Sequence, residues 1–262
     1  MLRARAPLAL QLLERVPCAS ATRRECLAYQ SELSRRLFPT GEVRVLGGPF
    51  AGMRYFNRVV WGPIAPKWLG TYEMELHGVM AQVCSRRYDS VVDIGSAEGY
   101  YAVGLALKFP QAVVCARDVD YFARRDLRAL ARLNGVRNLV VGGRIGPAEL
   151  GRYLVGTALV VCDIEGAELG LLDAAATPGL AGADILVECH WVGAVSPSEV
   201  ARVIRERFSA SHVAECIAAE PRRTAELAGR LPEVTGLTVE ELANACSEAR
   251  APGQVWLWLS AR

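Results

Sequence analysis

The stretch Val91-Val92-Asp93-Ile94-Gly95-Ser96-Ala97-Glu98-Gly99-Tyr100-Tyr101-Ala102-Val103-Gly104 decides the fold. A short apolar run carrying one acid reads as a buried strand. Two glycines four positions apart mark a tight turn, and the apolar spacing beyond Gly99 reads as a helix. A strand–turn–helix of this kind lets bare backbone N–H groups and a helix N-terminus approach a ligand closely. Its spacing, D-x-G-x-x-x-G, departs from the dinucleotide fingerprint G-x-G-x-x-G and from the phosphate loop G-x-x-x-x-G-K-[ST]. An NAD-linked site is therefore the weaker reading of this turn.

Downstream the chain alternates. Apolar strand patterns lie at Val91–Ile94, Ala112–Ala116, Leu139–Val141, Ala158–Cys162 and Ile185–Cys189. Helical patterns fall between and after them at Ala102–Phe109, Phe122–Leu133, Ala167–Ala176 and Ser198–Phe208. Two further strand signals follow, His212–Ile217 and Gln254–Leu259, with a helix around Val239–Ala249 in the long connection between them. Alternation of strand and helix predicts an α/β fold: a doubly wound, mostly parallel sheet covered on both faces. Ligands of such sheets bind beyond the carboxyl ends of the strands, so the strand ends are the places to inspect.

Upstream, residues 1 to about 40 read as helices, with Leu8, Leu10, Leu12, Leu13 and Val16 as one apolar group. Val43 to Phe56 reads as a β-hairpin, and Val59 to Gly70 as an ordered loop rich in Pro, Gly and Trp. Thr71 is expected to N-cap a helix running to about Arg87, whose first residues, Tyr72 and Glu73, lie where a ligand could be touched. The expected organisation is an N-terminal helical and hairpin extension over residues 1–70 and a main domain over residues 71–262.

Composition narrows the function classes. With 52% hydrophobic and 22% charged residues the chain can build a sizeable core. Thirty basic against 28 acidic residues leave +2, which argues against a nucleic-acid-binding surface. The pairs Arg23-Arg24, Arg35-Arg36, Arg86-Arg87 and Arg124-Arg125 read as solvated helix faces. Eight cysteines without a C-x-x-C pair favour neither a zinc site nor a disulfide framework, and point to a reducing cytoplasm. No run approaches the ~20 apolar residues of a membrane span.

The strand ends carry the chemistry. The first ends in Asp93 and Gly95. The second ends in Arg117-Asp118-Val119-Asp120, where an acid can accept both hydroxyls of a ribose. Asp118 is the first choice and Asp120 the second, since Asp120 can instead cap the next helix. The third strand ends in Gly142-Gly143-Arg144, either a place for contact with an adenine edge or a plain turn. The fourth ends in Asp163-Ile164-Glu165-Gly166-Ala167-Glu168. Glu168 suits the N-terminus of the following helix, whereas continued alternation would place Asp163 and Glu165 on one side. On the fifth strand Glu188 and His190 are two apart and share a face. An imidazole among carboxylates suits a general base near neutral pH. Asp163, Glu188 and His190 could equally hold a divalent cation such as magnesium or manganese.

In this order and spacing, V-V-D-I-G-S-A-E-G-Y-Y, C-D-I-E-G-A-E and I-L-V-E-C-H resemble the FkbM-type family of class I S-adenosylmethionine (SAM)-dependent methyltransferases. The resemblance covers about residues 70 to 191. It implies a Rossmann-like seven-stranded sheet, with its last two strands as an antiparallel hairpin at the edge. It also implies SAM as cofactor and O-methylation of a hydroxyl on a small molecule or natural product. Asp93, Gly95 and Gly99 would then hold the methionine end of SAM and Asp118 its ribose. Ser96, Tyr100, Val119 and Arg144 complete the expected cofactor set, with Tyr72 and Glu73 joining it from upstream. Asp163, Glu165, Glu188 and His190 would line the reaction centre, with a metal-free base favoured over a cation. Arg117 departs from the aromatic or apolar residue usual before the ribose acid.

Residues 218–252, with Arg222, Arg223 and Arg250, would form either a lid over the site or an ordinary packed insertion. The partners expected are a small-molecule acceptor and, through the N-terminal helices, a second copy of the chain, with neither nucleic acid nor membrane. Acceptors at nitrogen, carbon or sulfur, or a non-catalytic SAM- or nucleotide-binding module, are the alternatives.

Overall fold

The computed structural model describes residues 23–58, 60–219, 235–248 and 253–262. The Leu8–Val16 apolar group and the arginines at 222, 223 and 250 lie outside the described residues. The chain divides into two compact units: Met1–Met74 with Glu220–Arg250, and Glu75–Ala219 with Ala251–Arg262.

The second unit is built on a seven-stranded sheet. Its strands are β1 (Ser90–Ile94), β2 (Val113–Arg117), β3 (Leu139–Gly142), β4 (Ala158–Cys162), β5 (Asp184–Cys189), β6 (His212–Ala218) and β7 (Val255–Ala261), in spatial order β3-β2-β1-β4-β5-β7-β6. β1 to β5 run parallel; β7 pairs antiparallel with both β5 and β6. β7 thus lies inside the sheet, which explains its unbroken burial from Val255 to Leu259. The parallel strands β1, β4 and β5 are buried along their whole length, as continuous apolar runs require when both faces are covered.

Both faces are covered. Cys115, Val92, Val160 and Ile185 belong to one buried cluster on the face that also takes Val200 and Ile204 of the helix Pro197–Arg207. Ala116, the neighbour of Cys115, points the other way and packs with Ala102 and Leu127 of the helices Tyr100–Lys108 and Tyr121–Leu133. Leu127, Leu159 and Ile185 are fully buried, and each contributes about 1.5–3 kcal/mol of hydrophobic stabilisation.

Two expected helices end differently. Thr71 caps no helix start; its N–H and hydroxyl both go to the Pro66 carbonyl. A 3-10 turn at Met74–Leu76 follows, and the helix proper is His77–Ser85. The expected Ala167–Ala176 helix covers only Glu168–Leu171. There Arg207 donates to the Leu169 and Leu172 carbonyls, at 2.5 and 3.2 Å, and replaces the next helical turn as their partner.

In the first unit, helix Arg23–Leu37 lies within the span read as helical. The hairpin at residues 43–56 is reduced to one bridge, Arg44 to Arg54, flanked by Val45–Met53 and Tyr55–Val43 backbone bonds. The expected loop before Gly70 contains a buried helix, Ile64–Leu69. Pro63 and Pro66 hid it, although a proline in the first turn forfeits no hydrogen bond. Helix Val239–Ala245 is closed by a Thr238–Glu241 capping box.

Candidate active site

The glycine turn sits at the carboxyl end of β1. A Cβ on Gly95 would overlap the Asp163 carbonyl at the end of β4, so only glycine lets these two strand ends meet. Gly99 has φ +98°, and a Cβ there would press to 2.9 Å of Leu127. It is the N-cap of the helix Tyr100–Lys108. Between them Ala97 takes an uncommon positive φ of 44°.

That strained residue is held from β2: the Ala97 N–H donates to Asp118 Oδ2 at 2.9 Å. Asp118 Oδ1 accepts the Asp120 N–H at 2.7 Å. Burial raises the Asp118 pKa, against the lowering effect of those two N–H bonds. Each carboxylate oxygen retains a lone pair for a further donor. Asp120 takes the capping role, accepting from the N–H groups of Phe122 and Ala123 at the start of helix Tyr121–Leu133. Val119 stands 71% exposed beside Asp118. Asp93, Ser96 and Tyr100 are buried around the turn, and the Ser96 hydroxyl has no hydrogen-bond partner among the described residues. Arg144 is exposed beyond the end of β3.

Tyr72 and Glu73 belong to the other compact unit. There the Tyr72 ring carries the Lys67 ammonium, 4.8 Å from its centroid. Glu73, at φ 50°, donates its backbone N–H to Glu248.

At the ends of β4 and β5 four carboxylates gather around one imidazole. His190 Nδ1 lies 2.7 Å from Glu168 Oε1. Its Nε2 lies 3.5 Å from Asp163, 3.7 Å from Glu165 and 4.0 Å from Glu188. Burial works against a charged imidazole, but the Glu168 hydrogen bond and the charges of Asp163, Glu188 and Glu165 outweigh it and raise the His190 pKa to about 9. For Glu168 burial opposes ionisation too, and the bonds from His190 and the Gly166 N–H hold its pKa below the ordinary value.

The routes to this cluster differ in part from the expected ones. β4 stops at Cys162, so strand alternation does not align Asp163 with Glu165. The chain instead bends through Glu165 in the left-handed region, φ 55°, and this turn brings its carboxylate back toward His190. Glu168, read from sequence as an N-terminal helix acid, is wholly buried and is the imidazole's nearest partner. The sequence signal for it was the third acid of D-x-E-G-A-E, whose reach depends on the turn. Glu188 accepts from the Gln254 side chain at 2.9 Å, a partner 66 residues away that no local pattern signals. Among the described residues, Asp163, Glu165 and His190 form a compact group of ligand-type atoms, all within 4.8 Å of one another. Glu165 thus occupies the place in the cation-type set that the sequence reading gave to Glu188. Two carboxylates and one imidazole are a donor set that fits a hard or borderline divalent ion.

No helix among the described residues is long and apolar enough to cross a membrane. No family model matches the chain, and no curated protein matches its sequence. Among solved structures it is similar to a precorrin-6y C5,15-methyltransferase from Geobacter metallireducens, at 11% identity over 71% of this chain and 86% of that one, TM-score 0.45. It is also similar to an rRNA methylase from Streptococcus thermophilus, at 12% identity over 72% and 97%, TM-score 0.45. A third is a ribosomal protein L11 methylase from Lactobacillus delbrueckii subsp. bulgaricus, at 14% identity over 73% and 80%, TM-score 0.43. Likeness this slight carries no argument about activity; the fold rests on the strand order itself.

Proposed function

We propose that the chain is a SAM-dependent methyltransferase of FkbM type that acts on a hydroxyl of a small molecule. One observation carries this reading: Gly95 of the turn lies directly against the Asp163 carbonyl, so a nucleotide-type turn and a cluster of proton-accepting groups share one edge of one sheet. A binding module has no need of the second half.

The residues fit the cofactor. The turn from Gly95 to Gly99 offers backbone N–H groups at a helix N-terminus, suited to the carboxylate of the methionine moiety. The buried Ser96 hydroxyl adds a polar group without a hydrogen-bond partner among the described residues. Asp118 has lone pairs left for ribose hydroxyls, and exposed Val119 gives the adenine an apolar contact. When bound, SAM supplies an electrophilic methyl group, so the protein must align the acceptor and take its proton. Glu168 engages Nδ1 of His190 and leaves Nε2 as the nitrogen that receives the hydroxyl proton. Asp163, Glu165 and Glu188 surround the imidazolium that results and stabilise its charge.

A second reading rests on the closeness of Asp163, Glu165 and His190. A divalent cation held by these three would lower the acceptor's pKa directly, and His190 would be a ligand rather than the base. The test takes full-length protein, SAM and a panel of hydroxylated metabolites, with mass spectrometry of the products. Methyl transfer that persists in EDTA favours the base. Loss in EDTA with recovery in magnesium or manganese favours the cation. Failure of the protein to bind either SAM or S-adenosylhomocysteine in calorimetry would sink both.

A further inference from the structure

Arg117 is the residue that departs from the family pattern, and its surroundings give it a task. It ends β2 and is 8% exposed. Its guanidinium donates from Nη2 to the Tyr153 hydroxyl at 2.6 Å and pairs with Glu149 at 2.7 Å. The Tyr153 ring lies beneath the same cation, 4.9 Å from its centroid. Its Nε points to Cys115 at 3.1 Å. Burial pushes that thiol's pKa up, so the thiol stays neutral and Glu149 supplies the counter-charge. The guanidinium also lies flush on Gly142, where any Cβ would overlap it. Glu149 and Tyr153 follow directly on the segment that carries the chain away from β3, Gly143-Arg144-Ile145-Gly146, Glu149 from the short helix Pro147–Leu150.

The backbone of Arg117 joins the same parts. Its carbonyl accepts the N–H groups of Gly95 and Ser96, at 2.8 and 3.1 Å, from the glycine turn. The next N–H, that of Asp118, donates to the Gly142 carbonyl at 3.2 Å. One residue thereby fixes the turn, the ribose acid and the end of β3 relative to one another.

We propose that Arg117 is a positioning residue for cofactor binding. Clamped by Glu149 and Tyr153, it holds the Gly142–Gly146 segment as the wall of the adenosine site while touching no cofactor atom itself. The inference rests on the SAM reading above. A buried cation with a carboxylate, a phenol and an aromatic face is well determined in position, and a wall seated on it inherits that rigidity.

Calorimetry with S-adenosylhomocysteine on the full chain tests it, with Glu149→Gln, Tyr153→Phe, Arg117→Met and Arg117→Lys. The first three should weaken binding by about tenfold or more, as a displaced supporting shell does. In turnover assays KM for SAM should rise in step, with kcat at saturating SAM within about twofold of wild type. Arg117→Lys should recover part of the affinity by restoring the charge without the planar fork. Should Arg117→Met fail to fold, the two variants of its clamping partners decide. Unchanged affinity in Glu149→Gln and Tyr153→Phe proteins that melt like wild type overturns the clamp. If wild type itself does not bind S-adenosylhomocysteine, the SAM reading fails and the clamp fails with it. If wild type binds and the variants bind equally well, the clamp alone fails.

Discussion

Glu168 engages Nδ1 of His190, which on the proposed function leaves Nε2 for the acceptor, and the carboxylates around the ring set the pH at which it is neutral. A pKa near 9 leaves only about one per cent of the imidazole free to accept a proton at pH 7. In chelator-treated protein, kcat/KM should therefore climb with pH through about 9. Glu168→Gln should bring that limb down by about one unit or more, since it takes the negative charge out of the hydrogen bond that most favours the charged ring. A pH–rate profile unmoved by the substitution would exclude the pairing as its cause. The linked stability has a defined sign. The folded-state pKa stands above the ordinary 6.5, so the imidazolium's contribution is complete below about pH 6.5 and disappears as pH rises through about 9. Thermal melts should show that loss in wild type and a smaller one in Glu168→Gln. Asp118→Asn keeps the side chain's shape but removes the charge that suits paired hydroxyls. It should weaken SAM binding by about tenfold or more, with calorimetry as the measurement.

At the level of the element, the turn and the helix beside it depend on different residues. Gly95→Ala forces a methyl group into the Asp163 carbonyl and a left-handed backbone onto an alanine. Overpacking and strain together should cost about 2–4 kcal/mol, readable as a lower urea midpoint. Asp120→Ala removes only the cap of helix Tyr121–Leu133 and should cost about 1 kcal/mol with SAM affinity retained. A large affinity loss in Asp120→Ala would instead assign the ribose contact to Asp120. Sequence placed both acids at the end of β2 because an apolar run stopped there. Which of them caps the helix was settled by backbone direction, since Asp120 turns extended, at ψ 130°, just before the helix. The helix Ile64–Leu69 was hidden for a related reason: its prolines read as breakers until their place in the first turn is known.

On the scale of the whole molecule, β7 determines whether the sheet is continuous. It comes last of the strands yet pairs with β5 on one side and β6 on the other. Leu259 on this strand is fully buried, so Leu259→Ala should destabilise the fold by about 2–5 kcal/mol, measured by denaturant titration. The local sequence determined the strands of the sheet, their parallel run from β1 to β5, and the polar strand ends. Apolar periodicity, glycine spacing and an acid after an apolar run are all read within a few residues. The gathering of Glu168 and Glu165 around His190, the Gln254 side chain on Glu188, and the clasp of Arg117 by Glu149 and Tyr153 were decided only in three dimensions. They join residues 22 to 66 positions apart, through turns whose backbone angles no local pattern records. The sequence therefore determined where chemistry stands along the sheet edge, and tertiary packing decided which charged groups meet there, because charge acts through distance in space and not along the chain.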